Sequence, residues 1–457
     1  MDQLSPLDSL FIAAELPGLP QHVGGLTVLD PRQSQDFGFE KLLRVLDERI
    51  RLAPRYTRKL REVAGGLDRP WLVDDPDFDV RRHLHRIAVP APGTMRELAE
   101  LVGLIFPQPL DRSRPLWEMW LIEGVADGRV ALLMKSHHCL MDGAAASGMG
   151  SLLCDLEPEP KSPREAPAIE PAPEPGELRV AFEAARHLAA RPAATLRLGG
   201  RLLRQGFELL RAQRDPEAPP LPFSIPKVSF NGNPGPRRAF ACASVPLAAV
   251  KEVRKHFDVT VNDVVLALTG SAIRRYLLER GELPKHSLVA TIAVSLRAEG
   301  DTREDNQVTT ASIPWGTERA DPVARLLRIH RAGERAKQSA RSSDSQILGQ
   351  LGEAFAPGLV SLFFRFGAER GAAFFMPGNA VVSNVRGTPV PLYIGGARIE
   401  SMYPLSILAP TQGLNITAVS YCGNIDVGFT VDPDLVPDPW RLAAGIPLAL
   451  EELRAAA

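Results

Sequence analysis

Lys135-Ser136-His137-His138-Cys139-Leu140-Met141-Asp142-Gly143 is the stretch on which the reading of this chain turns. Ahead of it, Arg129-Val130-Ala131-Leu132-Leu133-Met134 is apolar and of strand length, and behind it Ala144-Ala145-Ala146 favours helix. The two histidines therefore sit where a strand leaves a sheet. Successive side chains of an extended backbone point to opposite faces, so only one of His137 and His138 can readily face a given cavity. The pair is thus a poor bidentate metal clamp and suits a base with its support. If His138 lines a cavity, its imidazole can take a proton from a hydroxyl as that hydroxyl attacks a carbonyl carbon. Asp142, four residues on, is placed to hold the loop through backbone or arginine contacts, and Gly143 lets the backbone turn.

Upstream, the pattern alternates helix and strand, which predicts an α/β chain with mixed sheets. Short helix spacing covers Ser9 to Glu15, a strand is expected from Val23 to Leu29, and Phe39 to Leu52 is helical up to Pro54. Thr94 precedes Glu97 at capping-box spacing and opens a helix to Phe106. Pro115-Leu116-Trp117 leads into a strand to Ile122. Downstream, seven prolines between Pro158 and Pro175 mark an exposed linker.

From Leu178 to Arg214 the pattern is helical but interrupted at Pro192 and Gly199-Gly200, with eight Arg against two Glu. Leu196, Leu203, Phe207 and Leu210 share one helix face, and Arg197, Arg201, Arg204 and Arg211 gather beside it. Two readings follow: a helix lying on an anionic membrane or droplet surface, or a helix packed on its own protein with solvated arginines. The second is the commoner case.

A second mixed unit starts near Phe223. Strands are expected at Arg238 to Val245, Leu288 to Val294, Phe374 to Asn384, Ala397 to Met402, Leu414 to Tyr421 and Ile425 to Val431, the last two as a hairpin. Helices are expected at Leu247 to His256, Pro322 to Ser339, Gly358 to Phe366 and Trp440 to Arg454. Thr260 and Asp263 form a capping box for a helix through Glu279, which puts Asn262 in its first turn. There it can either help cap the helix or donate to an oxyanion. The chain thus divides into 1–156, 157–222 and 223–457.

Composition narrows the class. With 53 Lys and Arg against 54 Asp and Glu, net charge is −1, and no global basic field argues for nucleic acid. Hydrophobic content of 45% and charged content of 23% are those of an ordinary globular protein. Cys139, Cys154, Cys242 and Cys422 lack zinc or CxxC spacing, and the N-terminus lacks a signal-peptide pattern, so a cytoplasmic setting is expected. No GxSxG elbow is present. His83-Leu84-His85 reads as surface histidines in an Arg-rich strand, and no metal site is expected.

HHxxxDG at 137–143 resembles the motif of CoA-dependent acyltransferases and of nonribosomal peptide condensation domains. The flanking stretches are similar to those of bacterial wax ester synthase/diacylglycerol acyltransferases: Leu4-Ser5-Pro6-Leu7-Asp8, Pro115-Leu116-Trp117, 230–237, Val261-Asn262-Asp263-Val264, Val294-Ser295-Leu296-Arg297, Ser383-Asn384-Val385-Arg386-Gly387 and 420–428. Arg386 and Asn233 depart from the commoner proline.

The resemblance implies two chloramphenicol-acetyltransferase-like subdomains with a tunnel between them. It implies acyl-CoA as a substrate, no cofactor, and a fatty alcohol or diacylglycerol as acceptor, with direct transfer by His138 as base. His137 and Asp142 would keep the site in shape, and Asn262 would orient the reactants or the oxyanion. Pro115, Leu116 and Trp117 would shape the channel, and Gly143, Asp263, Ser383 and Asn384 would contact substrate. Attachment to the inner membrane or to lipid droplets would be peripheral. The alternatives are a lipid-binding protein with a vestigial site and a condensation-type enzyme acting on carrier-protein thioesters.

Overall fold

The computed structural model describes residues 2–34, 36–140, 152–159, 174–212, 224–295, 308–342, 347–375 and 378–457. Asp142 and Gly143, most of the proline-rich linker, and Leu296 and Arg297 lie outside the described residues.

In chain order the first half holds β1 (Asp2–Gln3), α1 (Pro6–Ala14), β2 (His22–Asp30), α2 (Phe39–Ile50), β3 (Arg58–Arg61), β4 (Trp71–Asp74), β5 (Leu84–Ala88), α3 (Met95–Ile105), β6 (Trp117–Val125) and β7 (Arg129–His137). A long helix, α4 (Glu177–Ala212), follows. The second half holds β8 (Ala239–Pro246), α5 (Leu247–Phe257), α6 (Val261–Glu279), β9 (Val289–Ser295), β10 (Val308–Pro314), α7 (Pro322–Ser342), α8 (Ile347–Ala354), α9 (Pro357–Phe375) and β11 (Ala380–Arg386). It closes with β12 (Tyr393–Ile394), β13 (Ala397–Leu405), β14 (Leu414–Tyr421), β15 (Asn424–Val431) and α10 (Pro439–Ala455).

Two six-stranded mixed sheets carry the fold, ordered β12-β13-β2-β7-β6-β5 and β10-β9-β11-β14-β15-β8, beside a small sheet β1-β4-β3. β5 runs parallel to β6, and β11 runs parallel to β9 and β14. The expected hairpin forms in register from Leu414↔Val431 to Tyr421↔Asn424. The second half's core places Val264, Leu266 and Ile273 of α6 against Ile416 and Phe429 of its sheet. Truncating such a leucine to alanine costs about 2–5 kcal/mol.

The halves interlock. β13 leaves its own half and pairs antiparallel with β2, from Arg398↔Asp30 to Leu405↔Gly24. Covering that edge satisfies a row of backbone groups on β2 and buries Ala397, Ile399 and Leu405. β15 crosses so close beneath β13 that a Cβ on Gly428 would stand 2.0 Å from the Pro404 carbonyl oxygen.

Three local expectations change. α4 runs unbroken through Pro192, Gly199 and Gly200. An interior proline costs a helix about 3 kcal/mol, but the flanking turns are anchored by Arg191 to the Leu67 carbonyl and by Thr195 to that of Ala354. α9 extends to Phe375, so the strand expected from Phe374 starts only at Ala380. His83 is buried, stacked on Trp117 at 4.4 Å, and bonded through Nδ1 to the Trp117 carbonyl. It is a core residue, because a short helical turn over Val80–Arg82 leaves Arg81 and Arg82 exposed and, with the His83 N–H on the Val80 carbonyl, delivers His83 inward ahead of β5.

Candidate active site

β7 delivers His137 as its last residue, opposite His22 of β2, and His138 as the first residue beyond the strand. His137 is buried, and its Nδ1 accepts the Cys139 N–H at 3.1 Å, which assigns the ring proton to Nε2. Burial, reinforced by Arg112 and by His138, pushes its pKa down to about 3. The first histidine is therefore a neutral, structural imidazole. His138 keeps its backbone in place by donating N–H to the Gln21 carbonyl at 2.8 Å, while its ring lies flat on Phe11 of α1, 3.9 Å between centroids and 9° between planes. That stack fixes one ring face.

The loop is clamped from both sides. Arg55 donates to the Cys139 carbonyl and to Asp8, each at 2.9 Å, and Asp8 is itself buried. Ser5 caps α1 by accepting the Asp8 N–H at 3.0 Å, so a local signal in the chain positions the clamp's acid. The Cys139 thiol is fully buried and pushed well above its usual pKa by desolvation. It stays protonated and is not a nucleophile.

Pro115, Leu116 and Trp117 lie behind the histidine strand. All three are buried; the Leu116 carbonyl accepts the His137 N–H at 2.9 Å, Leu116 packs with Cys139 and Leu140, and the Trp117 indole donates to the Tyr56 carbonyl at 2.8 Å. Large apolar side chains at the start of a strand are driven inward, so this motif seats the histidine strand from behind.

A charged layer lies under the histidines. Arg112 donates to Glu15 and Glu62, each at 2.7 Å. The Glu15 carboxylate stands 3.7 Å from His137 Nε2 and 3.6 Å from His22 Nε2. His22 donates Nδ1–H to the Phe106 carbonyl at 3.1 Å, and burial, then Lys135, holds its pKa at about 3. Lys135 is itself buried, donating to the Gln108 carbonyl at 2.7 Å and pairing with Glu118 at 3.2 Å.

In the second half, the expected capping box forms in both directions: Thr260 N–H donates to Asp263 at 2.9 Å, and Asp263 N–H to Thr260 Oγ at 3.2 Å. The buried Asp263 carboxylate also takes the His330 Nδ1 at 2.8 Å. It is thus engaged by the fold, and it fixes the first turn of α6. Asn262 stands next to it on that turn. Asn384 of β11 donates to Asn262 Oδ1 at 3.4 Å, which makes the Nδ2 amide the donating end of Asn262. Asn384 is exposed, and Ser383 points to the opposite face of β11. The structure therefore brings together Asn262 with Asn384, and His137 with His138 and Leu116.

Motif reading missed Asp8, Phe11, Glu15, Gln21, His22, Arg55 and Arg112. The available signal was the helical spacing of positions 8, 11 and 15, which puts them on one face of α1.

Residues 4–265 match the profile of the wax ester synthase/diacylglycerol acyltransferase catalytic domain, and residues 305–454 that of the WS/DGAT C-terminal domain. A Mycobacterium tuberculosis protein assigned by name to the diacylglycerol O-acyltransferases is 38% identical over 472 residues, covering 99% of this chain and 90% of its own. The solved wax ester synthase/diacylglycerol acyltransferase of Marinobacter aquaeolei VT8 superposes with a TM-score of 0.71 at 28% identity, covering 100% of this chain and 99% of that one. The first condensation domain of the CDA synthetase superposes at 0.56 with 16% identity, covering 99% and 96%, a likeness of fold alone. Histidine motif, interlocked mixed sheets and full-length similarity converge, and the chain belongs to the wax ester synthase/diacylglycerol acyltransferase family of acyltransferases.

Proposed function

We propose that the protein esterifies the hydroxyl of a long-chain alcohol or a diacylglycerol with an acyl group from acyl-CoA, directly and without an acyl-enzyme. The carrying observation is the held but half-exposed His138, stacked on Phe11 and backed by a neutral His137. A ring nitrogen of His138 takes the hydroxyl proton as the oxygen attacks the thioester carbon. The tetrahedral intermediate then expels the CoA sulfur, and the imidazolium returns the proton to the thiolate. Asn262, at the positive end of α6 with its Nδ2 donating, is the residue for the developing oxyanion. Asn384 orients it. The reaction would occur in a tunnel between the two halves.

Turnover of purified protein with palmitoyl-CoA and either hexadecanol or dioleoylglycerol, followed by CoA release, tests this reading. His138→Ala is expected to lower the rate by about 10²–10⁴. Full rate in that variant sinks the mechanism.

The enzyme is proposed to work as a cytoplasmic protein docked peripherally on an anionic phospholipid surface. No helix among the described residues is long and apolar enough to cross a membrane. α4 packs inward through Val180, Ala194 and Leu198, and leaves the opposite stripe bare: Leu196 is 79%, Leu203 78% and Phe207 70% exposed. The helix does pack on its own protein, as the commoner reading expects, but through Val180, Ala194 and Leu198 and not through the stripe of Leu196, Leu203 and Phe207. Arg197, Arg204 and Arg211 are exposed along one flank of the stripe, the charge complement of an anionic surface. An apolar groove of about 930 Å³, lined in part by Leu188, Leu196, Phe355 and Leu359, continues the stripe towards α9, where Leu362 and Phe366 are also exposed. Sedimentation with phosphatidylglycerol vesicles is expected, with little on pure phosphatidylcholine, and Leu203→Glu with Phe207→Glu is expected to abolish it. Equal binding by that double variant rules this face out.

A further inference from the structure

α1 presents Asp8, Phe11 and its C-cap residue Glu15 at i, i+3 and i+7. Each meets a different part of the histidine motif. Asp8 reaches the Cys139 carbonyl through Arg55, Phe11 lies on the His138 ring, and Glu15 faces His137. Helix α1 is held in turn by α8, where a Cβ on Gly352 would stand 2.2 Å from the Pro6 carbonyl oxygen.

Glu15 differs from the other two because folding leaves its chemistry divided. Its oxygens face two buried Nε2 atoms that have no hydrogen-bond partner among the described residues. The two tautomers oppose each other. His137 carries its proton on Nε2 and attracts the carboxylate, whereas His22, having given Nδ1–H to Phe106, turns a lone pair towards it. At 3.6 and 3.7 Å both contacts exceed hydrogen-bond length, so the interaction is electrostatic, and Arg112 at 2.7 Å fixes where the carboxylate stands.

We infer that Glu15 is a positioning residue for acyl transfer: pinned by Arg112, it holds the His137 ring, which holds the Cys139 N–H and so the loop that aims His138. The inference rests on the reading of His138 as the base. Partly buried charge carries the effect, since Glu15 is 18% exposed and His137 1%. A misaimed base loses rate without losing substrate, because binding contacts lie elsewhere.

The test is CoA release by the full chain, with melting temperature and folded fraction measured in parallel. Glu15→Ala is expected to lower kcat about 10²-fold, the scale of a misplacement near 1 Å, with KM for both substrates unchanged within roughly two-fold. Glu15→Gln keeps the shape and one acceptor oxygen without the charge, and is expected to recover part of the loss, to about ten-fold below wild type. Glu15→Ala combined with Arg112→Ala should lose less than the sum of the two single losses, because the two share one contact, although Arg112 also pairs with Glu62 and Glu15 also accepts the Gln21 N–H. Glu15→Ala at wild-type kcat, additive losses in the double variant, or losses that only follow the folded fraction overturn the inference. Should Glu15→Ala fail to fold, Glu15→Gln decides, and full kcat there overturns it. His138→Ala is the control: if it keeps full rate, the reading of the base has failed; if it is inactive while both Glu15 variants run at full rate, only this inference has.

Discussion

The two halves of the molecule hold their candidate site residues by opposite means. His138 is held by residues far away in the chain, with Gln21, Phe11, Asp8 through Arg55, and Leu116 through His137 converging on three consecutive positions. Asn262 is held by its neighbours Thr260 and Asp263, with one distant bond from Asn384 and a brace from His330 on Asp263. A site made of long-range contacts is rigid only when the surrounding packing is complete. A site made of a helix cap forms with the helix. The difference teaches that the first half should fail by losing its fold around the loop, and the second by losing single contacts.

Four measurements bear on that contrast. Removing Asp8 takes a buried carboxylate from the Arg55 guanidinium, which is 12% exposed, so Asp8→Ala should cost about 3 kcal/mol in chemical unfolding. A loss below about 1 kcal/mol would show that the clamp is dispensable.

Asn262→Ala should leave stability near wild type while lowering kcat about 10²–10³-fold, the range for loss of an oxyanion donor. Unchanged kcat would remove the second half from the chemistry.

His22 and His137 both have folded pKa values near 3 against 6.5 in the unfolded chain. The folded state keeps them neutral while the unfolded state takes up protons below 6.5. Their contribution is therefore complete above pH 6.5 and is lost as pH falls towards 3, at about 1.4 kcal/mol per pH unit for each histidine. Urea unfolding across that window reads it, and His22→Gln should remove one of the two contributions.

Smallest is Thr260→Ala, which removes one direction of the capping box and should cost ~1 kcal/mol, read by thermal unfolding. A much larger loss would mean that the second half is no more local than the first.

Legibility followed the same division. Both capping boxes, at Thr94 with Glu97 and at Thr260 with Asp263, form as their spacing predicts, because a cap involves residues three apart. The strand ending at the histidines and the closing hairpin were likewise readable from short-range alternation. His83 was not: its place against Trp117 joins positions 34 apart, and Arg-rich neighbours disguised it. The course of 397–405 into the first sheet was also hidden, since an alternating strand fits either sheet equally well. Pro192 argued for a break that tertiary anchoring of α4 overrides.

The sequence by itself determined the reaction family, the position of the histidines at a strand end and the first turn that carries Asn262. These are written in contiguous motifs and in backbone patterns with periods of two to four residues. Only the tertiary structure decided that His137 is a neutral support, that Pro115 to Trp117 are core, that Asp263 belongs to the fold and that α1 supplies a wall of the site. Those outcomes depend on burial and on which side chains meet across tens to hundreds of positions, and neither quantity exists until the chain is packed.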